Sequence, residues 1–163
     1  MKVQCCPVLT SVFSNHTGYP SFYFDDYTEK MPSYIAEWKK LNLHFECIAA
    51  GFLGSERQIE IVKNFIRDFK DETTKVLIDP VMGDHGRTYQ TFTPEMCSQM
   101  KQLAHFADIL TPNLTEACIL TDTPYHDGHW QMSELSELAL SLIAMGPSKV
   151  VITGVSMGTF IGN

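Results

Sequence analysis

Short continuous apolar runs alternate along the chain with stretches in which apolar residues recur every three to four positions, the pattern of parallel strands joined by amphipathic helices. Val3 to Ser14 reads as an extended run that ends in the polar loop Asn15-His16-Thr17-Gly18-Tyr19. After Asp25 and Asp26, Thr28 stands where it could cap a helix on which Ile35, Trp38 and Leu41 recur at helical spacing. Phe45 to Ala50 is the next strand and stops at Gly51; Ser55 then caps a helix whose Ile59, Val62, Phe65, Ile66 and Phe69 form a core-facing stripe. Val76-Leu77-Ile78 is a short buried strand that runs directly into Asp79-Pro80-Val81-Met82-Gly83-Asp84. Pro94 to Phe106 follows as helix, Ala107 to Leu110 as strand, and Thr111-Pro112-Asn113 as the turn into a helix over Thr115 to Thr121. The last unit is a helix over Ser133 to Met145 and a strand at Val150-Val151-Ile152 that ends in Thr153-Gly154.

This order predicts an α/β fold: a three-layer arrangement with a mostly parallel central sheet, its crossovers right-handed. Residues 1 to 163 form one domain on this reading, with neither an internal repeat nor a low-complexity segment. A strand begins almost at once and nothing after the last strand could cover it, so the sheet is expected to be incomplete at both ends.

Composition narrows the class. With 44% apolar residues in 163, the chain can bury one sizeable core. The net charge of −7 is spread without a basic cluster, which argues against a nucleic-acid partner. Apolar stretches such as Ala139 to Ala144 fall far short of a bilayer span, and the N-terminus lacks the order of a signal peptide; no membrane partner and a cytoplasmic location are expected. Cysteines 5, 6, 47, 97 and 118 show neither CxxC spacing nor Cys/His clustering, so buried thiols are expected, not zinc or disulfides.

In open α/β sheets ligands bind beyond the carboxyl ends of the strands, which singles out Asn15 to Tyr19, Asp79 to Asp84, Thr111 to Glu116 and Thr153-Gly154. Asp79 and Asp84 bracket a tight turn. They could present two hard oxygen donors to Mg²⁺ carrying phosphates, or Asp79 could simply cap its own loop; the residues alone leave both open. Asn113 and Glu116 stand at a helix N-terminus that favours anions, but their spacing is also that of a plain capping box, and by spacing alone the capping box is the better account. His16 has no paired nucleophile. Cys5 and Cys6 point to opposite faces of a strand, which fits packing and not redox work. Asn113-Leu114-Thr115 matches a glycosylation sequon that is moot in a cytosolic chain. No GxxxxGK[ST] or GxGxxG motif occurs.

Taken together, Ser14 to Tyr19, Asp79 to Asp84, Thr111 to Ala117 and Val151 to Gly154 closely resemble pyridoxal kinases of the ribokinase-like superfamily, and Gly51 to Ser55 matches that family's Gly-Phe/Tyr-Leu-Gly-Ser pattern. The order and intervening lengths fit from end to end. The resemblance implies ATP-dependent phosphorylation of the 5′-hydroxymethyl group of pyridoxal, pyridoxine or pyridoxamine. It places Thr17, Gly18 and Tyr89 on the vitamer, and Asp79, Thr111, Asn113, Glu116 and Thr153 on the ATP side, with Asp84 and Glu116 toward the metal. It implies Mg²⁺ with ATP, allows a monovalent cation beside it, and implies a homodimer for the full-length protein. The family's Gly-x-Gly-Asp segment, whose Asp is the catalytic base, does not occur here, so no catalytic residue is expected within these 163 residues and the chain alone should be inactive. Hydroxymethylpyrimidine kinase is the nearest rival, since it shares similar loops; the Asn15 to Tyr19 loop looks B6-type. A non-catalytic remnant that binds nucleotide or dimerises is the alternative from another class.

Overall fold

The computed structural model describes residues 3–15 and 19–155. Its centre is a four-stranded parallel sheet built from β3 (Cys47–Ala50), β4 (Lys75–Ile78), β7 (Ile109–Leu110) and β8 (Lys149–Val150), in that spatial order. Two antiparallel hairpins stand apart from it: β1 (Ser11–Phe13) with β2 (Phe24–Asp26), and β5 (Gly83–Asp84) with β6 (Arg87–Thr88). The helices are α1 (Met31–Lys40), α2 (Glu56–Phe69), α3 (Pro94–Ala104), α4 (Leu114–Thr121) and α5 (Met132–Ala144).

Because the strand order follows the chain order, right-handed crossovers place the connecting helices on one face of the sheet. Burial agrees with this. Ile48, Val76, Ile78 and Leu110, which share a face by register, are sealed against α2, α3 and α4 residues such as Ile59, Ile66, Met100 and Leu120. On the opposite face Cys47 and Ala49 are exposed, while Leu77 and Ile109 are half-buried. Within the described residues the sheet therefore has one helical layer.

Helix starts follow local chemistry. Ser55 accepts from the Gln58 amide, Thr93 from Met96, and Asn113 from Glu116, each giving the first turn an acceptor that the helix itself lacks. Four expectations change. Of the five cysteines expected to be buried only Cys118 is: Cys5 and Cys47 are exposed, Cys6 and Cys97 half-buried, and Cys5 and Cys6 lie outside any strand. Of the extended run from Val3 to Ser14, only Ser11–Phe13 is strand among the described residues, and it pairs antiparallel with β2. Thr28 caps nothing: Lys30 is the N-cap of α1, and Thr28 is buried with its amide and hydroxyl both donated to Asp26 Oδ1. Leu41 is 67% exposed, since α1 ends at Lys40 and leaves it in the C-cap position, off the buried stripe.

Candidate active site

β4, β7 and β8 run parallel, so their carboxyl ends open at one edge of the sheet. The Thr111 amide donates to the Ile78 carbonyl at 3.0 Å, which ties the loop after β7 to the last residue of β4. The Thr153 amide donates to the Pro112 carbonyl at 2.8 Å, and Thr153 forms a parallel bridge with Asn113. Asp79, Thr111, Asn113 and Thr153 are thus neighbours by backbone pairing.

Glu116 is the hub. Its carboxylate is buried, with Oε1 accepting from the Met82 amide at 3.1 Å and Oε2 from the Asn113 amide at 2.8 Å. Asn113 answers by accepting the Glu116 amide at 2.9 Å and donating its side-chain amide to the Gly83 carbonyl at 2.8 Å. The capping box read from spacing is therefore real, and it does more than cap. It bolts the Asp79 to Asp84 loop onto the start of α4, joining two of the loops singled out in the sequence. Burial raises the Glu116 carboxyl above its ordinary range; the Asn113, Met82 and Gly83 amides oppose that rise, and the charge of Asp79 adds to it.

The Asp79 carboxylate differs from that of Glu116 in having no hydrogen-bond partner among the described residues. Asp79 is half-buried, and desolvation raises its carboxyl. The alternative in which Asp79 caps its own loop through its side chain is not the arrangement found: the Val81 amide turns back to the Asp79 carbonyl instead, at 2.9 Å. Tyr89, just beyond β6, donates its amide to the Met82 carbonyl at 2.9 Å. Burial raises its phenol, with the charges of Asp84, Glu116 and Asp79 adding to the rise, so all three carboxylates act on one ring. Asp84 is exposed and accepts from the amide of His85 at 2.8 Å.

The structure brings together Asp79, Asp84, Tyr89, Thr111, Asn113, Glu116 and Thr153. Thr17 and Gly18, expected on the vitamer side, and His16 lie outside the described residues. Among the described residues no group of three or more His, Cys, Asp or Glu side chains could form a metal cage. Oxygen-only donors with one unpartnered carboxylate do fit Mg²⁺ that arrives on phosphates and keeps part of its water, which needs only one or two carboxylates.

The β5–β6 hairpin was not read from the sequence, although His85-Gly86 between Asp84 and Arg87 was the available signal. Both residues take positive φ, 49° and 72°, as a two-residue turn of this kind demands. Gly83 is equally constrained, because a β-carbon there would lie 2.2 Å from the Arg87 carbonyl oxygen.

Comparison with known proteins extends the likeness across the whole fold. An Arabidopsis thaliana pyridoxal kinase is 31% identical over 161 residues, covering 93% of this chain and 49% of that protein. A Bacteroides thetaiotaomicron protein with a provisional phosphomethylpyrimidine kinase name, crystallised in an orthorhombic form with pyridoxal, is 48% identical at a TM-score of 0.88, covering 93% of this chain and 53% of that one. A pyridoxal kinase from Lactobacillus plantarum is 29% identical at a TM-score of 0.78, with 91% and 52% covered. The chain spans about half the length of the curated relatives it matches. No helix among the described residues is long and apolar enough to cross a membrane. Residues 1–160 match the family described as phosphomethylpyrimidine kinase, and the chain belongs to that family.

Proposed function

We propose that the protein transfers the γ-phosphoryl group of ATP to the 5′-hydroxymethyl group of pyridoxal, pyridoxine or pyridoxamine. The observation that carries the reading is the set of hydrogen bonds that gathers Asp79, Thr111, Glu116, Thr153 and the Asp84 hairpin at the carboxyl edge of the sheet, where the Asp79 carboxylate has no hydrogen-bond partner among the described residues. Such a cluster of carboxylates asks for a cation, and a nucleotide brings one. Mg²⁺ held there by Asp84 and Glu116 beside Asp79 would neutralise phosphate charge.

Phosphoryl transfer depends mainly on positioning and electrostatics, and the chain's own residues are suited to both. Thr111, Asn113 and Thr153 line the nucleotide side, and the start of α4 offers a favourable dipole to anions. Tyr89 and, outside the described residues, Thr17 and Gly18 would face the vitamer. The proton acceptor is expected from a Gly-x-Gly-Asp segment that residues 1–163 do not contain. Loss of a general base typically costs about 10²- to 10⁴-fold, so these residues alone should show no turnover. The full-length protein would act as a cytoplasmic homodimer.

Pyridoxal kinases among the relatives, and pyridoxal in the crystals of the Bacteroides protein, support the vitamer as substrate. The family description favours one second reading, hydroxymethylpyrimidine as acceptor. Phosphorylation rates of the native gene product with pyridoxal and with hydroxymethylpyrimidine decide between them. A higher kcat/KM for pyridoxal upholds the proposal; preference for the pyrimidine, or no transfer to either, overturns it.

A further inference from the structure

The hairpin that carries Asp84 has two residues in each strand, far too few to hold itself in water. Two side chains given no role toward ATP, vitamer or metal hold its turn. The buried Thr115 hydroxyl accepts the Gly86 amide at 2.9 Å. Tyr125 lies against the same glycine: a β-carbon on Gly86 would stand 2.5 Å from its Cδ1 and 2.7 Å from its Cε1.

Tyr125 is itself braced. Its ring centroid is 6.1 Å from that of buried Trp130, which stacks on His126 at 4.2 Å and 14°. His126 Nε2 in turn lies 3.3 Å from Glu134 Oε1 on α5. Among the described residues the Asp84 carboxylate makes hydrogen-bond or ion-pair contacts only with the adjacent His85, at its amide and its ring. Where its carboxylate stands is therefore decided by the backbone of the turn.

We propose that Thr115 and Tyr125 are positioning residues for the Asp84 hairpin, so that the segment 122–131 between α4 and α5 sets where the Asp84 carboxylate stands. The inference rests on the proposed function only in taking Asp84 to face the metal nucleotide.

The test uses the native gene product with Thr115→Val, Thr115→Ser, Tyr125→Leu and Tyr125→Phe. Exchange of the Gly86 amide, followed by NMR without substrate, should quicken about tenfold in Thr115→Val and in Tyr125→Leu, as expected for loss of one ordered contact. Thr115→Ser and Tyr125→Phe should restore it. In activity, the Mg²⁺ concentration for half-maximal velocity should rise several-fold in the same two variants, while the vitamer KM stays put and kcat changes less than about twofold. Unchanged Gly86 exchange overturns the proposal. So does exchange that quickens equally through β4 and α4, which would mark general loosening, or a loosened turn with unaltered Mg²⁺ dependence. If the wild type phosphorylates no B6 vitamer, the reading of function fails by itself, and the exchange comparison still decides whether these two residues hold the turn.

Discussion

The two ends of the sheet treat their carboxylates in opposite ways. At the amino end, Asp71 accepts from the hydroxyls and amides of Thr73 and Thr74, and the Thr73 hydroxyl leads in holding its carboxyl down to about 2. Asp108 is opposed by burial, yet the Val76 amide at 2.8 Å and Lys70 at 3.0 Å still keep it below the ordinary range. At the carboxyl end, Asp79 and Glu116 are raised by burial, and each raises Tyr89 with them. The first set holds elements together. The second accumulates unneutralised charge in a partly dry place, which costs stability and is the expected signature of a ligand site.

The sharpest way to break the contrast is Glu116→Ala. Glu116 belongs to the raised set but also satisfies the Met82 and Asn113 amides, so its loss orphans buried donors and should cost about 2–4 kcal/mol in denaturant unfolding. A loss below that of Asp108→Ala would show that the loop is held by something else. Asp108→Ala should come next, at about 1–2 kcal/mol, since the Val76 amide and Lys70 lose a charged acceptor.

Asp79→Asn should have the opposite sign, stabilising the protein at neutral pH by on the order of 1 kcal/mol while removing activity. The pH dependence separates the ends further. A raised carboxyl favours the folded state when protonated, and that contribution is lost as pH rises through its folded value, so the advantage of Asp79→Asn should vanish on acidification. Asp71 is lowered; its contribution is present above its unfolded value and is lost as pH falls toward about 2, so Asp71→Asn should destabilise at neutral pH and match the wild type near that limit. Thermal unfolding scanned against pH reads both. The smallest effect belongs to Leu41→Lys, within about 0.5 kcal/mol, because that side chain faces water.

Much of this was visible in the residues. Runs such as Val76 to Ile78 and stripes such as Ile59, Val62 and Ile66 carry their period locally, and Ser55 and Asn113 announce helix starts by side chains that reach only three residues. The clustering of Asp79, Thr111, Glu116 and Thr153 could be anticipated because every parallel strand ends at the same edge. What escaped depends on distant partners. Thr28 had the chemistry of a cap, but Asp26 and Gln58 claim its hydroxyl within a buried network. Nothing near Thr115 in the sequence shows that its hydroxyl holds Gly86, twenty-nine residues earlier. The hold of Tyr125 on the same turn is equally remote.

The strand order β3-β4-β7-β8 also bears on how the molecule is made. Among the described residues each strand of this sheet docks beside the sheet strand synthesised before it, so none of the four waits for a late segment to be inserted between itself and its neighbour. Pairings of this sort keep loop closures modest and favour quick folding. On a ribosome adding about 5–20 residues per second, β3-α2-β4 can form a seed within seconds, and the sheet can lengthen one edge at a time as the chain emerges. At every stage the newest edge is the vulnerable one, and the edge that carries Asp79, Thr111 and Glu116 gains Thr153 only after that residue has cleared the exit tunnel.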